Sequence, residues 1–169
     1  MYEKPKIMLQ LSPIDKIIEI FGWISVIGIW CFTWIHFYEL PKIIPIHYNA
    51  LGSIDKLGDK TNIFALPVIS TLLFVGLTIL NKFPQVFNYH CEITKENALY
   101  QYMNATRMLR VLKLVIVLIF GAIVILTIES VNGNIKGLGT LFLPLSIVLV
   151  STPIIYFLMN AYKRNRKTI

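Results

Sequence analysis

Charged residues are scarce in this sequence. Asp, Glu, Lys and Arg make up 15% of the 169 residues, whereas a soluble domain carries about 25%. Apolar residues reach 56%, and the mean hydropathy is +0.66. A chain of this length cannot bury so much apolar surface in one small globule. The composition therefore excludes an ordinary soluble domain and indicates a membrane protein.

Cysteine and histidine are also rare, with two and three copies respectively. Cys31 lies inside an apolar run and Cys91 in a distant polar segment, so we expect two free thiols and neither a disulfide nor a metal knuckle. His90 and Cys91 are adjacent, with no second pair nearby. We expect no bound metal and no cofactor.

Acidic residues are outnumbered by basic ones, and the net charge is +7. A nucleic-acid-binding protein would need a folded basic module with groups that read or stack on bases. The basic residues here are instead scattered over short segments between apolar runs. We therefore exclude nucleic acid as a partner and expect membrane lipids instead.

Long apolar runs are the main feature that is present. There are four, at Ile17–Tyr38, Ile63–Leu80, Val111–Ile128 and Thr140–Tyr162. Each is close to the roughly 20 residues needed to cross a bilayer. Lipid offers no hydrogen-bond partners to the backbone, so each run should be a helix. The sequence predicts an all-α membrane protein, a four-transmembrane-helix bundle.

This bundle should occupy residues 17–162, between an N-terminal segment, 1–16, and a basic tail, 163–169. The first run should remain in the mature protein, because a polar segment precedes it and the run is longer than the core of a signal peptide. We expect a helix from about residue 95 to continue directly into the third run. In the first run Gly22, Ser25 and Gly28 form a small-residue stripe, which is typical of close helix packing.

The distribution of basic residues predicts the orientation in the membrane. Of the 16 Lys and Arg residues, 12 lie in the N-terminal segment, the second connection with the start of the third run, and the tail. The positive-inside rule assigns these parts to the cytoplasm. We expect a multi-pass protein of the cell membrane, with both termini cytoplasmic and an ordered extracellular loop between the first two runs.

Three basic residues, Arg107, Arg110 and Lys113, recur every third position at the start of the third run. They share one side of a helix and should contact lipid headgroups. No ionisable residue occupies the expected middle of a run, which argues against an ion pathway.

The segment LPKIIPIHYNALGSIDKLGDK, residues 40–60, concentrates the polar residues between two runs. Prolines force the residues before them into extended backbone. Ile44 and Ile46 should then lie on one side of the segment and His47 on the other. Glycines permit tight reversals. The segment should form an ordered cover over the outer ends of the helices.

The outer-loop motif has eight positions: Pro41, Pro45, His47, Asn49, Gly52, Asp55, Gly58 and Lys60. Its spacing resembles the signature of the bacterial DUF1648 membrane family, and the resemblance extends over about residues 17–128. This domain also occurs in SdpI-type immunity proteins, which protect a bacterium from a secreted killing factor and relay its presence to a repressor. The resemblance implies a non-enzymatic protein that binds or senses an envelope-active peptide or toxin.

His47 has three interpretations. It holds the loop together through Asp55, Asn49 or a backbone carbonyl; it belongs to a surface that recognises an extracellular peptide; or, with Asp55, it binds a metal or serves a membrane enzyme. A small transporter or accessory subunit is a further alternative. The sequence does not specify the oligomeric state.

Overall fold

The computed structural model describes residues 4–165, and four long helices dominate it. They are α1, Pro13–Phe37; α2, Ala65–Leu80; α3, Ala98–Val131; and α4, Phe142–Asn165. A 3-10 helix, Lys60–Phe64, leads into α2, and another, Pro84–Val86, lies between α2 and α3. All four helices, the second with its 3-10 turn, are long and apolar enough to span a membrane. The prediction of a four-helix multi-pass membrane protein is confirmed.

The helix ends follow local capping chemistry. Helix α1 begins at Pro13, earlier than predicted, because Ser12 and Asp15 form a capping box. Their side chains satisfy backbone N–H groups that have no partner within the helix. Helix α3 runs without a break from Ala98, so the predicted helical entry into the third span is confirmed. Residues 166–169 of the predicted basic tail lie outside the described residues.

The segment between α1 and α2, predicted to be an ordered cover, contains a small antiparallel sheet. Strand β1, Ile43–Tyr48, pairs with β2, Ile54–Asp59, with irregularities of register around His47. Ile44 is buried and His47 is exposed, as the extended pattern predicted. This sheet is the only departure from an all-α architecture within residues 4–165.

Apolar clusters fill the bundle at successive depths. The cluster under the hairpin includes Ile44 of β1 together with Val124 and Ile128 of α3. A second cluster, of Val26, Phe74 and Val117, joins the first three helices midway. Helix α4 is the least buried of the four. It packs on α3, where its carbonyls accept hydrogen bonds from Asn104 and Gln101.

The helices alternate in direction, so the bundle has two ends. We call them the hairpin end, where β1 and β2 lie, and the terminal end. At the terminal end the N-terminal segment packs on the connection between α2 and α3, where Ile93, Ala98 and Tyr102 form a third apolar cluster. The Tyr102 hydroxyl donates to the Pro5 carbonyl at 3.0 Å. Residues 4–12 are therefore packed against the bundle.

Candidate functional site

The candidate site is the β1–β2 hairpin, and its shape begins with the turn at its tip. Asn49 Oδ1 accepts hydrogen bonds from the backbone N–H groups of Leu51, at 2.9 Å, and Ser53, at 3.1 Å. Gly52 has a φ of +74° and lies directly against the backbone of Gly139. Only glycine adopts this conformation without steric cost and leaves room for that contact. These two motif residues therefore shape the turn and dock it on the α3–α4 connection.

The base of the hairpin is fixed by two other motif residues. Gly58 lies under Ile46, and a Cβ at this position would be 2.6 Å from the Ile46 Cδ1. Lys60 Nζ donates to the carbonyls of Phe37, at 3.3 Å, and Leu40, at 3.1 Å. Cations are favourable at helix C-termini, where carbonyls have no partner in the helix. Lys60 thus ties the end of β2 to the end of α1.

The two motif prolines lie at the start of the hairpin and within it. Pro41 is exposed just before β1, while Pro45 is buried in β1 opposite Leu57. Proline has no N–H to donate, so it is tolerated where a ladder is irregular. The register changes directly after Pro45. This irregularity determines where the next polar side chain, His47, projects.

The central feature of the site is the pair formed by His47 and Asp55. Nδ1 of His47 lies 2.6 Å from Oδ1 of Asp55, and the two side chains are 65% and 40% exposed. When the imidazole is neutral, Nδ1–H donates to the carboxylate and Nε2 keeps its lone pair. The pair joins β1 to β2 and still presents an imidazole edge to the surroundings.

Burial and hydrogen bonding shift the pKa values of two further hairpin side chains, Tyr48 and Asp59. Burial raises the pKa of Tyr48. The 2.9 Å hydrogen bond between its hydroxyl and Thr127 Oγ1 partly opposes that rise. The hydroxyl and the backbone N–H of Thr61 donate to Asp59 and lower its pKa. Asp59 also caps the 3-10 helix that leads into α2. Tyr48 and Asp59 therefore link the hairpin to α3 and α2.

The second predicted set of residues lies at the opposite, terminal end. Arg107 makes a bidentate contact with Asp15, through Nε at 2.7 Å and a terminal nitrogen at 3.0 Å. Arg110 Nε lies 3.2 Å from Glu19. Lys113 Nζ donates to Glu19 at 2.7 Å and to Thr78 at 2.5 Å. The three basic residues hold α3 against α1.

This geometry corrects the expectation of headgroup contact for Lys113. Its side chain is 0% exposed and points between α1 and α2, so it is shielded from lipid. Arg110 is also buried and borders a partly open cavity. Arg107 is 33% exposed, and its contact with headgroups stays a prediction. Helical spacing predicted a shared side of α3 but not which neighbour covers it.

Sequence reasoning missed the acidic partners of this cluster. Asp15 and Glu19 are four residues apart on α1 and therefore share a side of the helix. The sequence does contain a sign of this pairing. The two carboxylates of α1 and the three cations of α3 lie near the same predicted membrane surface. An ionisable residue between spans is usually functional or strongly paired. Here the carboxylates pair with three cations.

Metal binding at the hairpin has limited support from the arrangement. Within residues 4–165 no group of three or more His, Cys, Asp or Glu side chains is close enough to hold a metal ion. His47 and Asp55 supply two ligands, and structural zinc sites use four.

Four membrane-spanning helices with an ordered hairpin after the first define a multi-pass membrane protein. Residues 24–71 match the family model described as a domain of unknown function, DUF1648. The matched residues form more than half of α1, the hairpin and the first part of α2. All eight residues of the predicted motif lie among them.

The chain is also similar to an uncharacterized protein of the archaeon Archaeoglobus fulgidus. It is 25% identical over 73 residues, which cover 38% of this chain and 40% of the relative. This chain thus spans well under half of that relative. No solved structure matches the chain.

Proposed function

We propose that the protein binds an envelope-active peptide through the hairpin and gives the cell immunity to it or senses it, without catalysing a reaction. One observation carries this proposal: the His47–Asp55 pair is well ordered by its neighbours and yet largely open to the surroundings. An exposed pair of this kind contributes little to stability, and it leaves an imidazole edge and a carboxylate accessible to a partner.

The side chains around the pair also suit a peptide partner. Leu51 and Leu57 are exposed, at 65% and 60%, and Ile54 at 37%. Apolar side chains around a polar anchor are typical of interfaces in which a few residues supply most of the binding energy. The SdpI-type resemblance suggests the same partner class, because such immunity proteins act against secreted killing factors.

The orientation predicted from the basic residues places the hairpin outside the cell. A secreted peptide would then meet it before reaching the lipid. In the folded chain the hairpin rests on α3 through Tyr48 and on the α3–α4 connection through Gly52. Binding at the hairpin therefore has a mechanical connection to the helices, which is what sensing would require.

The proposal is tested by survival of a strain that lacks the gene and carries variants on a plasmid. We expect His47→Asn and Asp55→Asn to lower the tolerated concentration of the envelope-active peptide by about tenfold, the effect of losing roughly 1.4 kcal/mol of binding. Envelope-active peptides are screened first with the deletion strain. Immunoblots establish that all variants reach equal abundance.

The matched control is Glu129→Gln. Glu129, in the last turn of α3, accepts a 2.6 Å hydrogen bond from Asn134 of the α3–α4 connection. It lies at the hairpin end of the bundle but outside the motif. We expect this variant to protect like the wild type. Full protection by both His47→Asn and Asp55→Asn would exclude the pair as the binding surface.

The alternative, a metal-binding or catalytic role of His47 and Asp55, is favoured by one specific feature. A carboxylate on Nδ1 leaves Nε2 as a ligand or a base, as in sites where a carboxylate orients a histidine. Elemental analysis of the purified protein tests this role. A metal present in equal molar amount in the wild type and lost in His47→Asn would favour it over peptide binding.

A further inference from the structure

A cavity at the terminal end contains polar groups that the fold leaves unused. It has a volume of about 380 Å3 and lies between the N-terminal segment, the start of α1, the end of α2 and α3. It is at the opposite end of the bundle from the hairpin and outside the DUF1648 match. An inference about this cavity is therefore independent of the function proposed above.

Asn81, at the C-terminal end of α2, is the most informative residue of the cavity wall. It is only 8% exposed, and neither its Nδ2 nor its Oδ1 has a hydrogen-bond partner among the described residues. Burying an amide without partners costs about 1–3 kcal/mol. Native folds keep few such groups, and those they keep call for an explanation such as a bound molecule.

The charge around Asn81 is positive. Arg110 and Lys82 border the cavity together with one carboxylate, that of Glu19. Behind them lie the ion pairs of Lys113 with Glu19 and of Arg107 with Asp15. The cavity wall and the ion pairs behind it thus contain four cations and two carboxylates, and this excess of positive charge favours an anion.

Arg110 adds a second partly unused donor. Its Nε is near Glu19 but makes no well-oriented hydrogen bond, and its side chain is only 7% exposed. Arginine and an amide N–H are common ligands of phosphate oxygens. The amide carbonyl of Asn81 additionally needs a donor. A carboxylate lacks one, but a phosphomonoester retains a hydroxyl in its monoanionic form.

The remaining wall is apolar. Ile7, Leu9 and Leu11 of the N-terminal segment and Pro84 line the same space. This wall suits the aliphatic body of a ligand whose charged end reaches Asn81. We propose that the cavity binds a phosphomonoester carried on an alkyl chain, with Asn81, Arg110 and Lys82 holding the phosphate.

The phosphomonoester can come from the bilayer or from the aqueous phase, and one experiment with two arms distinguishes these sources. The full chain in detergent micelles is titrated with hexyl phosphate. In parallel, it is reconstituted in phosphatidylcholine nanodiscs with increasing phosphatidic acid, or with phosphatidylglycerol as a phosphodiester control. Ligand-induced shifts of the thermal unfolding midpoint give apparent affinities.

We expect the wild type to respond to hexyl phosphate, to phosphatidic acid or to both, and to respond more weakly to phosphatidylglycerol. A response confined to phosphatidic acid assigns a lipid ligand, and one to hexyl phosphate assigns a soluble ligand. Asn81→Leu should bind about tenfold more weakly. It should still fold, because it removes a buried amide that has no partner.

Asn88→Leu is the matched control, since Asn88 is exposed in the α2–α3 connection and lies outside this cavity; it should bind like the wild type. Asn81→Asp gives a second variant of nearly equal volume, whose negative charge should abolish the response. Equal responses of the wild type and Asn81→Leu would overturn the proposal. So would equal responses to phosphatidic acid and phosphatidylglycerol, or no response in either arm.

Discussion

Lys113 shows how a single charged residue is accommodated between membrane helices. Its ammonium group is fully buried, yet it contacts the carboxylate of Glu19, the hydroxyl of Thr78 and, 4.3 Å from the centroid, the ring of Phe74. Removing a charge from water costs several kcal/mol unless partners compensate for it. Each of the three partners stabilises the cation, and they come from two different helices.

The dependence of Lys113 on Glu19 can be measured. We expect Glu19→Gln to lower the free energy of unfolding by about 3 kcal/mol, because it leaves a buried cation without its anion. The double variant Glu19→Gln with Lys113→Met should recover part of this loss, since no uncompensated charge remains at that position. Unfolding in mixed micelles, followed by circular dichroism, gives both values. A double variant less stable than Glu19→Gln would contradict this account.

The residues that hold the hairpin differ in how far their roles could be read from the sequence. The sequence indicates Asp55 as one of the possible partners of His47, because extended backbone brings polar residues of one segment together. Proximity in the sequence suggests Asp55 or Asp59 as the partner of Lys60, but its Nζ donates to the carbonyls of Phe37 and Leu40 at the end of α1. A carbonyl at a helix end leaves no mark in the residue type, so only the folded chain reveals this partner.

Packing between elements depends on one glycine of α1 rather than on a stripe of small residues. A Cβ on Gly22 would lie 2.6 Å from Phe74 Cε2, while a Cβ on Gly28 would have nothing within 4 Å. Ser25 is exposed. Of the two glycines in the predicted stripe, only Gly22 therefore packs against α2.

These two glycines make a matched pair of test positions. We expect Gly22→Ala to destabilise the protein by about 1–3 kcal/mol, because the Phe74 ring is confined between Trp23 and Lys113 and overpacking is costly. Gly28→Ala should be neutral or slightly stabilising, since alanine favours helix. Thermal unfolding in detergent compares the two. Equal stability of both variants would show that Phe74 moves aside.

The contact between the hairpin and the α3–α4 connection allows a similar comparison. Gly52 and Gly133 both have positive φ angles, +74° and +80°, but only Gly52 lies against another backbone segment. We expect Gly133→Ala to cost about 1 kcal/mol for its conformation alone. Gly52→Ala should cost more and should speed amide hydrogen exchange in β1 and β2. Unchanged exchange in Gly52→Ala would mean that the hairpin does not depend on this contact.

For the whole molecule, the arrangement across the membrane is the prediction on which the proposed function rests. Leu51, at the tip of the hairpin, is 65% exposed, and Cys91 lies in the α2–α3 connection at the opposite end. In a Cys31→Ser background we expect Leu51→Cys to react with a membrane-impermeant maleimide in intact cells. Cys91 should react only after permeabilisation.

The labelling of Cys91 should also be slow, because burial raises the pKa of its thiol and leaves less of the reactive thiolate. Raising the pH should accelerate it in permeabilised cells. If Cys91 were labelled in intact cells and Leu51→Cys were not, the orientation would be the opposite of the predicted one. The hairpin would then not be accessible to secreted peptides.

The sequence by itself determined the number of spans, the continuity of α3 and the position of the polar segment. These follow from one strong constraint, because apolar length and backbone hydrogen bonding in lipid leave no structure other than a helix. The same constraint says nothing about which helices meet, since lipid and a neighbouring helix are both apolar environments.

The tertiary structure alone decided the pairs that depend on contact between distant residues. It joined Lys113 to Glu19, fitted Gly22 to Phe74 and left Asn81 without a partner beside Arg110. Each depends on the rotation of one helix relative to another by part of a turn. Periodicity fixes which residues share a side of one helix, but only packing fixes which residues of two helices face each other.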